Sequence, residues 1–474
     1  MSEKKPLPRL VFGSASGQAG KTTITCGISI LLKRRGINVQ VFKKGPDYID
    51  PTWLKAASGN PCRNLDLYLM GKKRLIRQFV TYAGRADLAL VEGNMGLYDS
   101  VSDDGSGSTA HIARILKAPL IFVVNTHKMA RSVAALIEGY RNFEPETMFC
   151  GVILNRVAGE RHTQKLIKAI EKYCGLPVVG VIPKEESLLI GERHLGLIPF
   201  PERERNLLIL EKIASFLEPH LDIEGIIEIA KKAPPMSVPS LKDERKHPKR
   251  NVVRIGVFYD SVFHFYYPEN LESLTSEGAE LVFINSILDK RLPDVDGIYI
   301  GGGFPELYLR ELSSNRTLME DVANFVEEGK PLYAECGGLM YLCDHVSYKG
   351  LRVKMAGIIP ADVFLRKRPE GHGYVEAEVV EENPFYPKGL IIRGHEFHHS
   401  ALKLKSTVKF VLRMRRGRGG YGLSDGILYK NAFASYTHVH GIGLPVWAKN
   451  FVNLCGKLKE RGSSSYILEE AKSS

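Results

Sequence analysis

The sequence is poor in cysteine and has no apolar run long enough to cross a membrane. Its 474 residues include seven cysteines, an odd number, and no two of them form a Cys-x-x-Cys pair. This spacing argues against a disulfide framework or a zinc ribbon and favours a reducing compartment. No stretch approaches the roughly 20 apolar residues of a transmembrane helix, and residues 1–9 lack the apolar core of a signal peptide. We therefore expect a cytoplasmic protein without a membrane partner.

A dense basic stripe is also missing, although the chain is basic. The 65 lysines and arginines outnumber the 53 aspartates and glutamates, which gives a net charge of +12. Such a charge attracts nucleic acids, acidic membranes or polyanionic small molecules. The basic residues are scattered apart from short clusters such as 33–35 and 242–250. We therefore expect no nucleic acid partner and favour small-molecule ligands.

Strand and helix patterns alternate through most of the chain. Apolar strands of the first half are predicted at Leu10–Phe12, Val39–Phe42, Leu88–Glu92, Leu120–Asn125, Gly151–Asn155 and Val178–Ile182. With helical patterns between them, they predict an α/β fold, a parallel sheet with helices on both faces. Residues 233–250 are rich in proline and charge, which indicates a linker between domains at 1–232 and 251–450. Residues 451–474 are assigned to a C-terminal tail.

Residues 13–23, GSASGQAGKTT, follow the first predicted strand and open a helix. They match the phosphate-binding loop pattern except at its first glycine, where an alanine stands. Gly17 and Gly20 allow backbone N–H groups to turn towards phosphate oxygens, and the helix N-terminus adds positive potential. Lys21 is predicted to reach the β- and γ-phosphates and the Thr22 hydroxyl to bind magnesium. The predicted ATP site comprises Gly17, Gly20, Lys21, Thr22 and Thr23.

Four acidic residues follow predicted strands. Asp47 and Asp50 lie in KKGPDYIDP after the second strand, and Glu92 and Asp99 lie in LVEGNMGLYD. Ligands of doubly wound folds gather at the carboxyl ends of strands, so we expect these acids to face the phosphate loop rather than merely to cap turns. Asp47 and Glu92, with Thr22, are the predicted magnesium ligands.

Cys336 stands between a predicted strand and a helix that opens with Gly337 and Gly338, in LYAECGGLMYL. A sharp strand–turn–helix exposes the side chain at its elbow, as in other nucleophile elbows. We expect the helix N-terminus to lower the pKa of the thiol. The N–H of Gly337 and those of the GGG run ending at Gly303 are predicted to stabilise an oxyanion. The alternative, a buried cysteine that acts as a small apolar residue, is disfavoured by the following glycines.

A thiol nucleophile requires a base, and ASYTHVH supplies two histidines. His438 is the predicted base. His440 is the predicted orienting group because it points the same way if the segment is extended. Glu335 is left unassigned. The segment GHEFHHS has three more histidines, but no metal-ligand spacing is met, so we expect a structural or interdomain role.

Taken together, these motifs resemble the cobyrinic acid a,c-diamide synthase family over nearly the whole chain. The segments that carry the resemblance are SGQAGKTT, KGPDYIDP, VEGNMGLYD, GSTAHIARIL, YIGGGFPELY, AECGGLMYL, RGHEFHHS and SYTHVH. The resemblance implies a dethiobiotin synthetase-like ATPase domain followed by a class I glutamine amidotransferase domain.

The resemblance also implies a reaction. Cys336 would release ammonia from glutamine, and ATP with Mg²⁺ would convert substrate carboxylates to acyl phosphates that ammonia then turns into amides. Tyr48, Asp50 and Asp99 would lie at the substrate or acyl-phosphate site. The implied partners are ATP, glutamine and a polycarboxylate tetrapyrrole, and a homodimer is compatible with the sequence.

Several alternatives stay open. Asn94, Ser100 and His399 depart from what we expect of a corrin enzyme, so nickel-sirohydrochlorin or siroheme is an alternative acceptor. A cobyric acid synthase-like amidase is a second alternative, which His438-Val439-His440 disfavours. A regulatory ATPase fused to an inert glutaminase-like module would have lost Cys336 or His438. A nucleic-acid-binding ATPase would require a basic stripe with interleaved aromatic residues, which the sequence does not contain.

Overall fold

The computed structural model describes residues 3–185, 192–193, 196–197, 205–238 and 253–470. The chain divides into two compact units, Met1–Glu244 and Arg245–Ser474. Of the predicted linker, residues 236–238 form a short strand, and residues 239–250 lie outside the described residues. None of the described helices is long and apolar enough to cross a membrane.

The first unit alternates strands and helices, as the sequence predicts. Its elements are β1 Glu3–Lys5, β2 Arg9–Ser14, α1 Lys21–Arg34, β3 Val39–Lys44, α2 Asp50–Ser58, β4 Arg63–Leu65, α3 Leu67–Ala83, β5 Leu88–Glu92, α4 Thr109–Leu116, β6 Leu120–Asn125, α5 Ser132–Phe143, β7 Phe149–Val157, α6 Glu160–Tyr173, β8 Val178–Pro183, β9 Glu192–Arg193, β10 Gly196–Leu197, α7 Arg205–Leu217, α8 Ile223–Lys231 and β11 Met236–Val238.

Seven of these strands form one parallel sheet in the order β4-β3-β5-β2-β6-β7-β8. Its central strands are apolar and buried on both faces, which is typical of parallel sheets covered by helices. Helix α1 packs with α2, α7 and α8 on one face. On the other face Phe42 of β3 contacts Phe79 of α3, with ring centroids 4.9 Å apart. The carboxyl ends of β2, β3 and β5 therefore meet at one edge, where the phosphate loop begins.

The second unit combines a parallel core with an antiparallel extension. Its elements are β12 Val253–Phe258, β13 Phe263–Phe265, α9 Pro268–Ser276, β14 Ala279–Ile284, β15 Gly297–Ile300, β16 Gly302–Gly303, α10 Leu309–Ser314, α11 Arg316–Glu327, β17 Leu332–Glu335, α12 Gly337–Leu342, β18 Cys343–Tyr348, β19 Leu351–Lys354, β20 Ile359–Leu365, β21 Gly371–Val379, β22 Ile391–His398, β23 Ser400–Leu404, β24 Lys409–Arg416, β25 Ser424–Tyr429, β26 Ala432–Ser435 and α13 Pro445–Glu470.

The main sheet of this unit has nine strands in the order β14-β12-β15-β17-β26-β25-β24-β21-β22. Strands β14, β12, β15, β17 and β26 are parallel, and the remaining strands add in antiparallel fashion. A second sheet has the order β19-β18-β20-β23. Helix α13 begins at Pro445 and runs through position 451, where the sequence suggested the start of a tail. The carboxyl ends of β15, β17 and β26 lie at one edge of the main sheet, and Gly303, Cys336 and His438 follow them in the chain.

Candidate active sites

The phosphate loop joins β2 to α1 with a geometry that requires glycine at one position. Gly20 has a φ of 89°, in the left-handed region, and directly precedes α1. A Cβ atom there would lie 2.4 Å from Nδ2 of Asn155, which itself donates to the Ala19 carbonyl over 2.8 Å. By contrast, Gly17 is exposed with open space around it. The end of the loop that leads into α1 is therefore fixed by Asn155 of β7, whereas the tip of the loop at Gly17 is accessible.

Lys21 projects back across this loop. Its ammonium donates to Ser14 Oγ over 2.6 Å, to the Met95 carbonyl over 2.9 Å and to the Ser16 carbonyl over 3.2 Å. Burial, and secondly the positive charge of Lys43, lower the pKa of Lys21 to about 8. The side chain is therefore still mostly protonated near neutral pH and presents a positive charge inside the loop.

The predicted magnesium ligands converge beside Lys21. Thr22 Oγ1 donates to Glu92 Oε1 over 2.8 Å and lies 3.4 Å from Asp50 Oδ2. Asp47 joins the same group through Lys43, whose Nζ lies 2.6 Å from Glu92, 2.5 Å from Asp50 and 3.7 Å from Asp47. Although burial alone would lower it, the surrounding carboxylates raise the pKa of Lys43 well above its ordinary value. Sequence reasoning missed Lys43, whose signal was a lysine at the end of a buried strand just before the two aspartates.

The carboxylates of this group are short of positive charge. Burial, and then Asp50, raise the pKa of Asp47 to about 7, and burial raises that of Glu92. Within the described residues, Oε2 of Glu92 is buried without a hydrogen-bond partner. Hard oxygen donors with an unpaired buried oxygen beside a phosphate loop fit a magnesium ion, which prefers carboxylate, hydroxyl and phosphate oxygens. Thr22 and Glu92, with the nearby Asp47 and Asp50, would contribute to holding it, while no three acidic, histidine or cysteine side chains of the described residues are arranged as a preformed metal site.

The other residues predicted for the ATPase unit divide between two places. Asp50 belongs to the group around Lys43, whereas Asp99 lies at the surface and accepts a hydrogen bond from the Gly96 N–H over 2.9 Å. Tyr48 is half-buried beside Asp47 in the chain. Thr23 lines a small cleft together with Gly20, Ile24, Asn155, Arg156, Ile182, Pro183, Glu185, Ile213, Phe216 and Leu217.

In the second unit, Cys336 occupies a strained elbow between β17 and α12. Its φ of 49° and ψ of −100° are rare for a residue other than glycine. Its N–H donates to the Ser435 carbonyl of β26 over 2.7 Å. A Cβ at Gly338 would lie 2.4 Å from the Ile300 carbonyl, so the glycine is required for the close approach of α12 to β15. The elbow that the sequence predicted is present, and the backbone strain at a nucleophile position is typical of functional sites.

The two glycines predicted for the oxyanion hole are adjacent. A Cβ at Gly337 would lie 3.0 Å from the Gly303 nitrogen, and one at Gly303 would lie 1.8 Å from the Val262 carbonyl oxygen. Position 303 therefore accepts only glycine. The backbone of these two residues can offer N–H groups to one oxygen beside Cys336.

His438 reaches this site from the loop after β26. A Cβ atom added to Gly302 would lie 2.6 Å from Cε1 of His438 and 3.3 Å from its Nε2. The edge of the imidazole ring therefore packs against β16, the strand of Gly302 and Gly303. Its Nδ1 lies 3.3 Å from Oε2 of Glu335, which also accepts from the Tyr299 hydroxyl over 3.2 Å. Glu335 is fully buried at the end of β17. A buried carboxylate beside Nδ1 orients an imidazole and stabilises its protonated form.

The side chain that lies beside Nδ1 of His438 is therefore Glu335 and not His440, the predicted orienting group. Regular strand ends at Ser435, and His438 makes only a single bridge to His395, so the two-residue alternation does not extend to position 440. His440 instead places Nε2 3.7 Å from the Glu269 carboxylate. The signal that was available is the Glu-Cys pair, which puts a carboxylate next to the nucleophile.

His395 is a second residue that the sequence did not place at this site. Its ring stacks on that of His438, with centroids 5.0 Å apart and planes inclined by 20°, and their backbones exchange hydrogen bonds of 2.8 and 3.2 Å. Burial, with His438 and His440, lowers the pKa of His395 well below its ordinary value. The following Glu396 accepts the N–H groups of Arg418 and Gly419. Strand β22 thus packs the neutral imidazole of His395 against the loop that carries His438.

The pKa of the Cys336 thiol is shifted in the direction opposite to the predicted one. Burial, and then the Glu306 carboxylate, raise the pKa of the Cys336 thiol, whereas the helix N-terminus was expected to lower it. Helix α12 has only six residues, and the Gly337 N–H does not offset the loss of hydration. A thiol at this position would therefore need a neighbouring base to take its proton before it could act as a nucleophile.

We expect the Glu335→Gln variant to lose roughly 100-fold in glutaminase kcat, because a neutral amide does not stabilise protonated His438. The matched control is His440→Asn, which we expect to stay near wild-type activity. Both variants are assayed for glutamate release, with thermal unfolding to show that each is folded. The reverse ranking, a severe loss in His440→Asn with an active Glu335→Gln, would restore the assignment based on sequence.

Family models match a segment of each unit. Residues 10–197 match the model of the CobQ/CobB/MinD/ParA nucleotide binding domain, and residues 254–443 match that of the CobB/CobQ-like glutamine amidotransferase domain.

Several relatives match this chain over nearly its whole length and nearly the whole of their own. The cobyrinate a,c-diamide synthase of Magnetococcus marinus is 41% identical over 464 residues, covering 97% of this chain and 99% of the relative. The proteins of the same name from Archaeoglobus fulgidus and Methanobrevibacter smithii are 42% and 40% identical, over 96% and 93% of this chain and 98% of each relative. The chain is a glutamine-dependent, ATP-using ligase and belongs to the cobyrinate a,c-diamide synthase family.

Proposed function

We propose that the protein amidates the a and c side-chain carboxylates of a tetrapyrrole, with cobyrinate as the first candidate acceptor. The observation that supports this most is the presence in one chain of two groups of residues, one around Cys336 and one around Lys21. Cys336, His438 and Glu335 can release ammonia from glutamine, and Lys21 with the carboxylates around Thr22 can activate an acid with ATP. The names of the relatives point to the acceptor.

Glutamine hydrolysis starts at Cys336. Its sulfur attacks the side-chain amide carbon of glutamine while His438 accepts the thiol proton and Glu335 stabilises the resulting imidazolium. The N–H groups of Gly303 and Gly337 hold the oxyanion of the tetrahedral intermediate. His438 then protonates the departing nitrogen, which leaves as ammonia. Water cleaves the glutamyl thioester to glutamate and regenerates the thiol.

Carboxylate activation takes place at the phosphate loop. An oxygen of the substrate carboxylate attacks the γ-phosphorus of ATP, ADP leaves, and the acyl phosphate is then converted to an amide by ammonia with loss of phosphate. Lys21 donates to oxygens of the transferring group. A magnesium ion held by Thr22, Asp47, Glu92 and the nearby Asp50 would neutralise phosphate charge. We assign Tyr48 and Asp99 to the side of the site that receives the acceptor.

The remaining assignments follow from the same scheme. We propose that residues 1–232 carry the synthetase activity and residues 251–450 the glutaminase, with 233–250 as the linker. We further propose a cytoplasmic location and ATP, glutamine and the macrocycle as the ligands, without nucleic acid. A homodimer is the proposed assembly.

The decisive experiment is a panel of acceptors read by mass spectrometry. The purified protein receives ATP, magnesium and glutamine with cobyrinic acid, nickel-sirohydrochlorin or siroheme in turn. We expect the mass change of two carboxyl-to-amide conversions on cobyrinic acid alone, and none when ATP is omitted. Amidation of another macrocycle alone would replace cobyrinate as the acceptor. Glutamine hydrolysis without amidation of any of them would refute the tetrapyrrole proposal.

A further inference from the structure

Lys44 is a buried lysine whose positive charge is not neutralised by a direct contact. It is the last residue of β3 and is only 7% exposed. In the part of the chain that the structure describes, its ammonium makes neither a hydrogen bond nor an ion pair. The preceding Lys43, in contrast, contacts three carboxylates. A lysine that is largely buried without a direct partner is costly for folding, which indicates that its ammonium meets an anion when the protein works.

Alternation along β3 separates the two lysines. Successive side chains of a strand point to opposite faces, so Lys43 shares a face with Val41 and Val39, and Lys44 shares the other with Phe42. Val39 and Val41 belong to the core that includes helix α1, whose first residue is Lys21. Phe42 packs on Phe79 of α3. Lys44 therefore lies on the face opposite α1, the helix that follows the phosphate loop.

Two acidic residues near Lys44 are already engaged. Asp66 accepts the Leu69 N–H over 2.9 Å and caps α3, and Asp99 accepts the Gly96 N–H over 2.9 Å. Neither is within ion-pair distance of Lys44, although both act on it electrostatically, and Asp99 acts likewise on Lys21. Burial remains the largest influence and lowers the pKa of Lys44. Asp99 therefore interacts electrostatically with two cations: Lys21, on the face of the sheet that α1 covers, and Lys44, on the opposite face.

The register of the sheet locates Lys44 relative to the acceptor side of the proposed site. Lys43 pairs with Glu92 across β3 and β5, which puts Lys44 level with Gly93, where the segment leading to Asp99 begins. Phosphate oxygens are served by Lys21 on the α1 face. We propose that Lys44 binds a carboxylate of the acceptor substrate and so selects a polycarboxylate and orients the carboxyl group that is phosphorylated. This inference rests on the proposed function, of which it names the acceptor-binding residue.

The test compares Lys44→Met and Lys44→Gln with the wild-type protein. The macrocycle is the one that the wild-type protein amidates in the panel, cobyrinic acid first. We expect the KM for the macrocycle, and its Kd in an absorbance titration without nucleotide, to rise about ten- to hundredfold, because a hydrogen bond to a charged group is lost. The KM for ATP and the glutaminase rate stay unchanged. Thermal unfolding stays at or above the wild-type midpoint, because a buried charge without a partner is removed.

Lys55→Met, which removes an exposed lysine of α2, is the matched control and keeps the wild-type KM. An unchanged KM and Kd for the macrocycle in both Lys44 variants, with an active wild-type protein, would overturn this inference and leave the proposed function standing. A raised KM for ATP instead would assign Lys44 to the nucleotide and also overturn it. Failure of the wild-type protein to bind or amidate any macrocycle would overturn the proposed function and this inference together.

Discussion

The Cys336→Ala variant should form no product from glutamine and should still amidate the macrocycle when ammonium chloride is supplied. The sulfur atom is the only part of the glutaminase that becomes covalently bound to glutamine in the proposed scheme, so we expect its kcat/KM for glutamine to fall at least roughly 1,000-fold. The carboxylate-activating residues lie in the other unit and keep their geometry. Mass spectrometry of the macrocycle and glutamate release are measured in parallel.

Cys343→Ala is the matched control, since Cys343 is also buried and burial also raises the pKa of its thiol. It follows α12 rather than preceding it, so it lies outside the elbow. We expect it to retain activity with both nitrogen sources. Loss of the ammonia-dependent reaction in Cys336→Ala, with the protein folded, would contradict a scheme of two separate sites.

The second large effect is expected from Lys21→Ala, which should remove amidation from glutamine and from ammonia alike while glutamate release continues. Its ammonium is the positive charge inside the phosphate loop, and no other described lysine contacts Ser14 Oγ. Removing a preorganised charge from a phosphoryl-transfer site costs roughly 100- to 1,000-fold in kcat. ADP formation, amide formation and glutamate release are measured in one reaction series.

Lys33→Ala, at an exposed position of the same helix, controls for loss of a lysine from α1. We expect its rates to equal those of the wild-type protein. ATP-dependent amidation that persists in Lys21→Ala would remove the phosphate-loop assignment, whichever macrocycle is used.

Local features of both sites could be predicted because a few neighbouring residues determine them. A glycine-rich loop between a strand and a helix is a local feature of the sequence, and the structure starts α1 at Lys21, directly after the last glycine of the loop. The same holds for the elbow at Cys336, where two glycines permit the close approach to β15. The alternation of strands and helices predicted the α/β class, which the parallel sheet of the first unit confirms.

Features that depend on contacts across the fold were missed. The pairing of Glu335 with His438 joins residues 103 positions apart, and the assumption of an extended segment favoured the nearer His440 instead. Lys43 was missed because only the pairing of strands in the sheet places Glu92 beside it. The prediction that the pKa of Cys336 is lowered was also wrong. The thiol is buried by the packing of the whole unit, and this burial cannot be predicted from the helix that follows the cysteine.

The backbone at Cys336 has a further consequence, which concerns how mutations at this position are selected. A residue with a side chain at φ 49° and ψ −100° stores strain of about 1–3 kcal/mol, a large part of the roughly 5–15 kcal/mol that stabilises a domain. Glycine at this position would relieve the strain while removing the nucleophile. Folding therefore does not protect the cysteine against drift, and its persistence in a lineage would report continued selection for ammonia release rather than for a stable structure.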